Sequence, residues 1–103
     1  MNPRPKGLAH LDAIELVYSA LAHQTRRQIL TVLRARGGSA TSGELAQRFD
    51  CTWPTTTRHL NVLADGELVT VTHHGRQRTY QLNANTLDAI AGAWIDRFRT
   101  DSR

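Results

Sequence analysis

The sequence predicts a mainly α-helical chain of about five helices with a small β-hairpin of two strands. Three observations carry that prediction. Apolar residues recur at helical spacing in the first third of the chain and again near its end. Between Val69 and Leu82 the period switches to two, with β-branched residues on either side of His73-His74-Gly75-Arg76. The stretch Thr41 to Val69 reads as two short helices joined by a tight turn. In the order helix, helix, helix-turn-helix, hairpin, helix, these elements describe a winged helix-turn-helix.

Residues 1–7 hold two prolines and two cations with no apolar run behind them, which predicts a flexible tail and not a signal peptide. Residues 8–103 then form one domain. From about Leu8 to Ala22, Ile14, Val17, Tyr18 and Leu21 fall at i, i+3, i+4, i+7; Leu11 extends this stripe and Leu16 lies off it. His23-Gln24-Thr25 breaks the pattern. A second helix to about Arg36 buries Ile29, Leu30, Val32 and Leu33, and Gly37-Gly38 stops it.

Thr41-Ser42-Gly43-Glu44 matches a capping box, and Leu45, Ala46 and Phe49 make one apolar stripe behind it. Asp50-Cys51 supplies the turn. Thr52 is an apt N-cap for the next helix, with Pro54 tolerated in its first turn. In that helix Thr56, Leu60 and Leu63 recur at i, i+4, i+7 and must face the core. Thr52, Trp53, Thr55, Thr57, Arg58, His59 and Asn61 are its candidate DNA contacts, since hydroxyls, a guanidinium, an imidazole and an amide suit base edges and phosphates. A merely solvated polar face is the alternative. Ala64-Asp65-Gly66 ends the helix.

The hairpin tip carries His74, Arg76, Gln77 and Arg78, candidates for contact with a phosphate backbone; an arginine-rich tip that only confers solubility is the other reading. Asn83-Ala84-Asn85-Thr86 forms a loop and N-cap. Leu87, Ile90, Ala91, Trp94, Ile95 and Phe98 then make an unbroken helical stripe. With two large aromatics on it, this stripe points to a surface shared with a second subunit, against the simpler possibility that it packs on its own domain.

Charge locates the partner. Residues 26–80 hold eight arginines against four acids, while the flanks balance, so this segment carries the whole net charge of +4. Double-stranded DNA is the anionic partner this distribution suits. A winged helix used for protein binding is the serious rival, and it needs no positive face. No stretch approaches the roughly twenty apolar residues of a membrane span. The lone Cys51 forms no internal disulfide, which predicts a cytoplasmic protein. Arg48 and Arg58 near it in sequence leave a thiol- or metal-responsive sensor using Cys51 as an alternative to a packed, inert cysteine. His73 and His74 are adjacent on a strand and point to opposite faces, so they cannot chelate one ion. No nucleophile–base pair, phosphate loop or paired acids suggest an enzyme. No cofactor and no metal are predicted, and no small-molecule effector is singled out.

Particular residues resemble the ArsR/SmtB family of winged-helix regulators. Ala20-Leu21-Ala22-His23-Gln24-Thr25-Arg26-Arg27-Gln28-Ile29-Leu30 is similar to that family's L-A-x-P-T-R-x-x-I-L opening, with Gln24 in place of the proline. Thr55 to Leu63 resembles its recognition helix, and Gly75-Arg76 with Tyr80-Gln81-Leu82 its wing. The resemblance spans roughly residues 11 to 98. It implies a homodimeric repressor that leaves its operator on a signal, paired through the first helix (Leu11, Ile14, Tyr18) and the last (Leu87, Ile90, Ala91, Trp94, Ile95, Phe98). Metal-sensing members carry Cys-x-Cys where this chain has Thr41 and Gly43, or ligands along a last helix that here holds only Asp88 and Asp96 as carboxylates and no histidine. The chain therefore resembles the branch without those metal ligands.

Overall fold

The computed structural model describes residues 9–49 and 52–99, with side chains from residue 12 onward. Helix α1 (Ala9–Leu21) and α2 (Gln24–Ala35) are followed by a short strand β1 (Ser39–Thr41), then α3 (Ser42–Arg48) and α4 (Trp53–Asp65). Strands β2 (Val69–His74) and β3 (Gln77–Leu82) form the hairpin. The closing helix runs without a break through α5 (Ala84–Leu87), a π-helical stretch Asp88–Gly92 and α6 (Ala93–Asp96). This is a winged helix-turn-helix.

The helix ends follow local chemistry. Gly37 and Gly38 take φ of +85° and +107° after α2. Their N–H groups donate to Arg34 O at 3.2 Å and Leu33 O at 2.7 Å, the paired bonds of a Schellman cap. The end of α4 repeats those bonds, from Glu67 N to Ala64 O and Leu68 N to Leu63 O, both 2.9 Å. Here, however, the left-handed residue is Glu67, at φ +60°. The neighbouring Gly66 serves another need: a Cβ on it would lie 3.2 Å from the Leu16 carbonyl oxygen of α1. One glycine cannot fill both positions, so α1 packing claims it. Glu67→Gly should therefore stabilise the fold by about 0.5–1 kcal/mol, the left-handed penalty relieved less the extra chain entropy of glycine. A thermal melt no higher than wild type would contradict this.

The sheet has three antiparallel strands in the order β1-β3-β2, one more than the hairpin predicted from sequence. Ser39, Ala40 and Thr41 pair with Gln81, Tyr80 and Thr79. Three residues are too few to show a period of two, and only β3 defines them as a strand. The hairpin turn is tighter than expected: His74 pairs with Gln77, leaving Gly75-Arg76 as its two central residues. Gly75 alone of the pair has positive φ (+63°), as a II′ turn requires.

The core gathers Val17 and Ala20 of α1, Ile29, Leu30 and Leu33 of α2, Leu45, Leu60 and Leu63 of the helix-turn-helix, and Val69 and Tyr80 of the hairpin. Val32 packs beside it, half-buried. The closing helix departs from the regular α-helix its stripe predicts. Ala93 N–H reaches back to Asp88 O, and the Tyr18 hydroxyl of α1 donates to Ala91 O within the π-helical stretch at 3.1 Å. A π turn inserts a residue, so a stripe at 3.6 spacing does not continue unbroken across it. Ala91 turns into the protomer's own core at 4% exposure, whereas Trp94, Ile95 and Phe98 remain 41%, 46% and 69% exposed.

Candidate nucleic-acid interface

The helix-turn-helix is held by its caps. Thr41 Oγ1 accepts from Glu44 N–H at 3.1 Å while Thr41 N–H donates to Glu44 Oε1 at 2.9 Å, the reciprocal box expected from sequence. Those Thr41 bonds first, and then Arg36 in an ion pair, hold the Glu44 carboxyl below its ordinary pKa. Asp50 and Cys51, the expected turn, lie outside the described residues, so the thiol reading of Cys51 has no structural counterpart here.

Thr52 caps α4. Its Oγ1 accepts from Thr55 N–H at 3.3 Å and donates to the Thr55 hydroxyl at 2.9 Å, so these two candidate contacts hold each other. Thr56 is buried and donates to Thr52 O at 3.1 Å, joining Leu60 and Leu63 on the inner face. Trp53 opens the helix with its indole over α3: a Cβ on Gly43 would lie 3.3 Å from the ring. More than half of Trp53 is nonetheless exposed. Thr57 is half-buried, and Arg58 and Asn61 are exposed.

His59 is placed differently from its neighbours. It turns toward the start of α2, where its ring centroid lies 4.4 Å from that of His23 and Arg26 Nη1 lies 3.4 Å from its Nδ1. Burial first, then the charges of His23, Arg26 and Arg58, lower its pKa. Sequence reasoning placed Arg26 only in the motif and in the basic middle segment. Its Nε and Nη2 donate to Ala20 O and Ser19 O, at 2.8 and 2.9 Å, tying α2 to the C-terminal end of α1. The adjacent Arg27 does the same to Leu21 O at 2.8 Å. Two arginines just past a helix end were the available signal.

On the hairpin, His74, Arg76, Gln77 and Arg78 are all exposed. The ion pairs between described residues are Arg36–Glu44 and Arg99–Asp96, so Arg58, Arg76 and Arg78 have no carboxylate partner among them. Of the candidate subunit contacts, Tyr18, Leu87 and Ile90 are half-buried beside the core and Ile14 is half-buried; the Leu11 side chain lies outside the described residues. Trp94 meets Tyr18 edge-on at 5.4 Å and tilts over Phe98 at 4.7 Å.

A family described as a helix-turn-helix domain matches residues 21–72. The transcriptional repressor SdpR of Bacillus subtilis is 35% identical over 71 residues, which are 69% of this chain and 77% of that protein. The arsenical resistance operon repressor of Staphylococcus xylosus is 32% identical over 77 residues, 75% of this chain and 72% of the repressor. A crystal structure of an ArsR family transcriptional regulator superposes with a TM-score of 0.73 at 33% identity, covering 85% of this chain and 90% of the other. The chain belongs to the ArsR/SmtB family.

As an ArsR/SmtB protein it is a DNA-binding transcriptional regulator and not an enzyme. Thr41 here caps α3, and Gly43 lies beneath the Trp53 indole. Among the described residues no three His, Cys, Asp or Glu side chains are grouped to hold a metal ion, and no helix is long and apolar enough to cross a membrane.

Proposed function

We infer that this regulator is a homodimeric repressor that reads an inverted-repeat operator with α4 and lays the β2–β3 wing on the phosphate backbone. The observation that carries the reading is the two-sided character of α4. Thr56, Leu60 and Leu63 anchor it in the core, while Arg58 and Asn61 are exposed, and Arg58 has no carboxylate partner among the described residues. A helix fixed on one side and bare on the other is what entry into a major groove needs. Residues 8–103 act as one domain in this reading. The second copy seats on the exposed apolar surface of the closing helix, so that two α4 helices stand about one DNA turn apart.

DNA selected by the purified protein from random duplexes tests this. The selected sites should be imperfect inverted repeats, and affinity should fall steeply with salt as arginines displace counterions. Arg58→Ala should cost roughly 1–3 kcal/mol and relax sequence preference. Arg76→Ala should weaken binding to every duplex alike, as loss of a phosphate contact does. No preference over random duplex, or a flat salt response, would instead promote a protein-binding winged helix.

A further inference from the structure

Where α4 meets the start of α2, nitrogen-bearing side chains converge around His59. His23 lies ring to ring with it, Arg26 reaches it from α2, and Arg58 precedes it on α4. Two of these are already committed elsewhere. His23 Nδ1 accepts from Thr25 N–H at 3.1 Å as the N-cap of α2, and Arg26 is pinned by the carbonyls of Ser19 and Ala20. Arg26 Nη1 has no acceptor capacity, so the 3.4 Å contact is a hydrogen bond only while His59 Nδ1 is unprotonated. That contact favours the neutral His59 ring with its hydrogen on Nε2.

The charges acting on His59 come from His23 on the α1–α2 turn, Arg26 on α2 and Arg58 on α4; all are of one sign, and no carboxylate among the described residues offsets them. Arg26 has the α1 carbonyls as its counterweight, but a proton on His59 has no counterpart among the described residues. Such a cluster on a DNA-reading helix is complete only when an anion arrives from outside. We propose that His59 and Arg26 seat one backbone phosphate of the operator, and that His59 takes up a proton from solvent as the phosphate enters. That proton displaces Arg26 Nη1 from the ring, and both groups then donate to phosphate oxygens. The proposal rests on the reading of α4 as the recognition helix.

The sign follows from linkage. Burial and the neighbouring cations lower the free-protein pKa of His59, and a phosphate beside it raises the value in the complex. Operator affinity should thus rise as pH falls through the bound pKa and level off below the free one. The slope between them approaches about tenfold per pH unit, the limit for one proton.

The test is operator affinity from pH 8 to pH 6 at constant ionic strength, with ¹⁵N titration of His59 in the free and DNA-bound protein. Wild type should show the slope, and DNA should move the His59 titration to higher pH. His59→Gln, which still offers hydrogen bonds but cannot titrate there, should bind with the slope largely lost. His73→Gln on β2 should retain it. An unchanged slope in His59→Gln, or a His59 titration identical with and without operator, would overturn the proposal. The wild-type titration gives that answer even if the substitution unfolds the chain. Absence of sequence-specific binding by wild type at every pH would instead overturn the DNA reading beneath it.

Discussion

Trp94→Ala should weaken the proposed dimer by at least about 2 kcal/mol, roughly thirtyfold in dissociation constant, and leave the protomer folded. Within one protomer the indole packs edge-on against Tyr18 and over Phe98, yet 41% of the residue stays exposed. Ile95 and Phe98 extend the same apolar surface, at 46% and 69% exposure. Three large exposed apolar side chains within five residues are costly to leave in water, and aromatics of this kind dominate interface energetics. The core does not depend on them: Ala91, one turn earlier, is the closing-helix residue that enters it. Sedimentation across protein concentration should therefore show dissociation, while circular dichroism keeps the helical signal. Affinity for a full operator should fall far more than affinity for a half-site, because only a dimer spans both. A wild type that stays monomeric across the micromolar range, or a variant that unfolds, would remove the case for this surface.

The second large effect separates the two faces of α4. Leu63 is fully buried on its inner face, so Leu63→Ala should cost about 2–5 kcal/mol through lost burial and the cavity left behind. At about 4–8 °C per kcal/mol for a domain of this size, the melting temperature should drop by roughly 10 °C or more. Arg58 is exposed on the outer face, and Arg58→Ala should melt within about 0.5 kcal/mol of wild type while losing operator discrimination. Calorimetry and DNA binding on the same two variants check the contrast. Comparable destabilisation by both would mean that Arg58 serves the fold, and its assignment to the interface would fail.

These contrasts show how far local chemistry carries. Thr41 to Glu44, Thr52 with Pro54, and Gly37-Gly38 mark helix ends by hydrogen bonds or backbone freedom that reach only a few residues along the chain. The inner positions Thr56, Leu60 and Leu63 follow from a period of 3.6, and the wing from a period of two. The basic middle of the chain was countable before any fold was known. Composition and periodicity thus decided the element order, the two-sided α4 and the class of partner.

Contacts between distant segments decided the rest. β1 is a strand because Tyr80, forty residues away, pairs with Ala40. Gly66 and Glu67 exchange their usual roles because the α1 backbone passes too close for a side chain. The closing helix loses its regular stripe at the π-helical stretch that Tyr18 grips, so Ala91 goes inward while Trp94 stays out. His59, one polar residue among several on α4, turns toward α2 because Arg26 is anchored there by the end of α1. In each case the energy belongs to a pair far apart in sequence, and no local pattern records which distant residue will supply the other half.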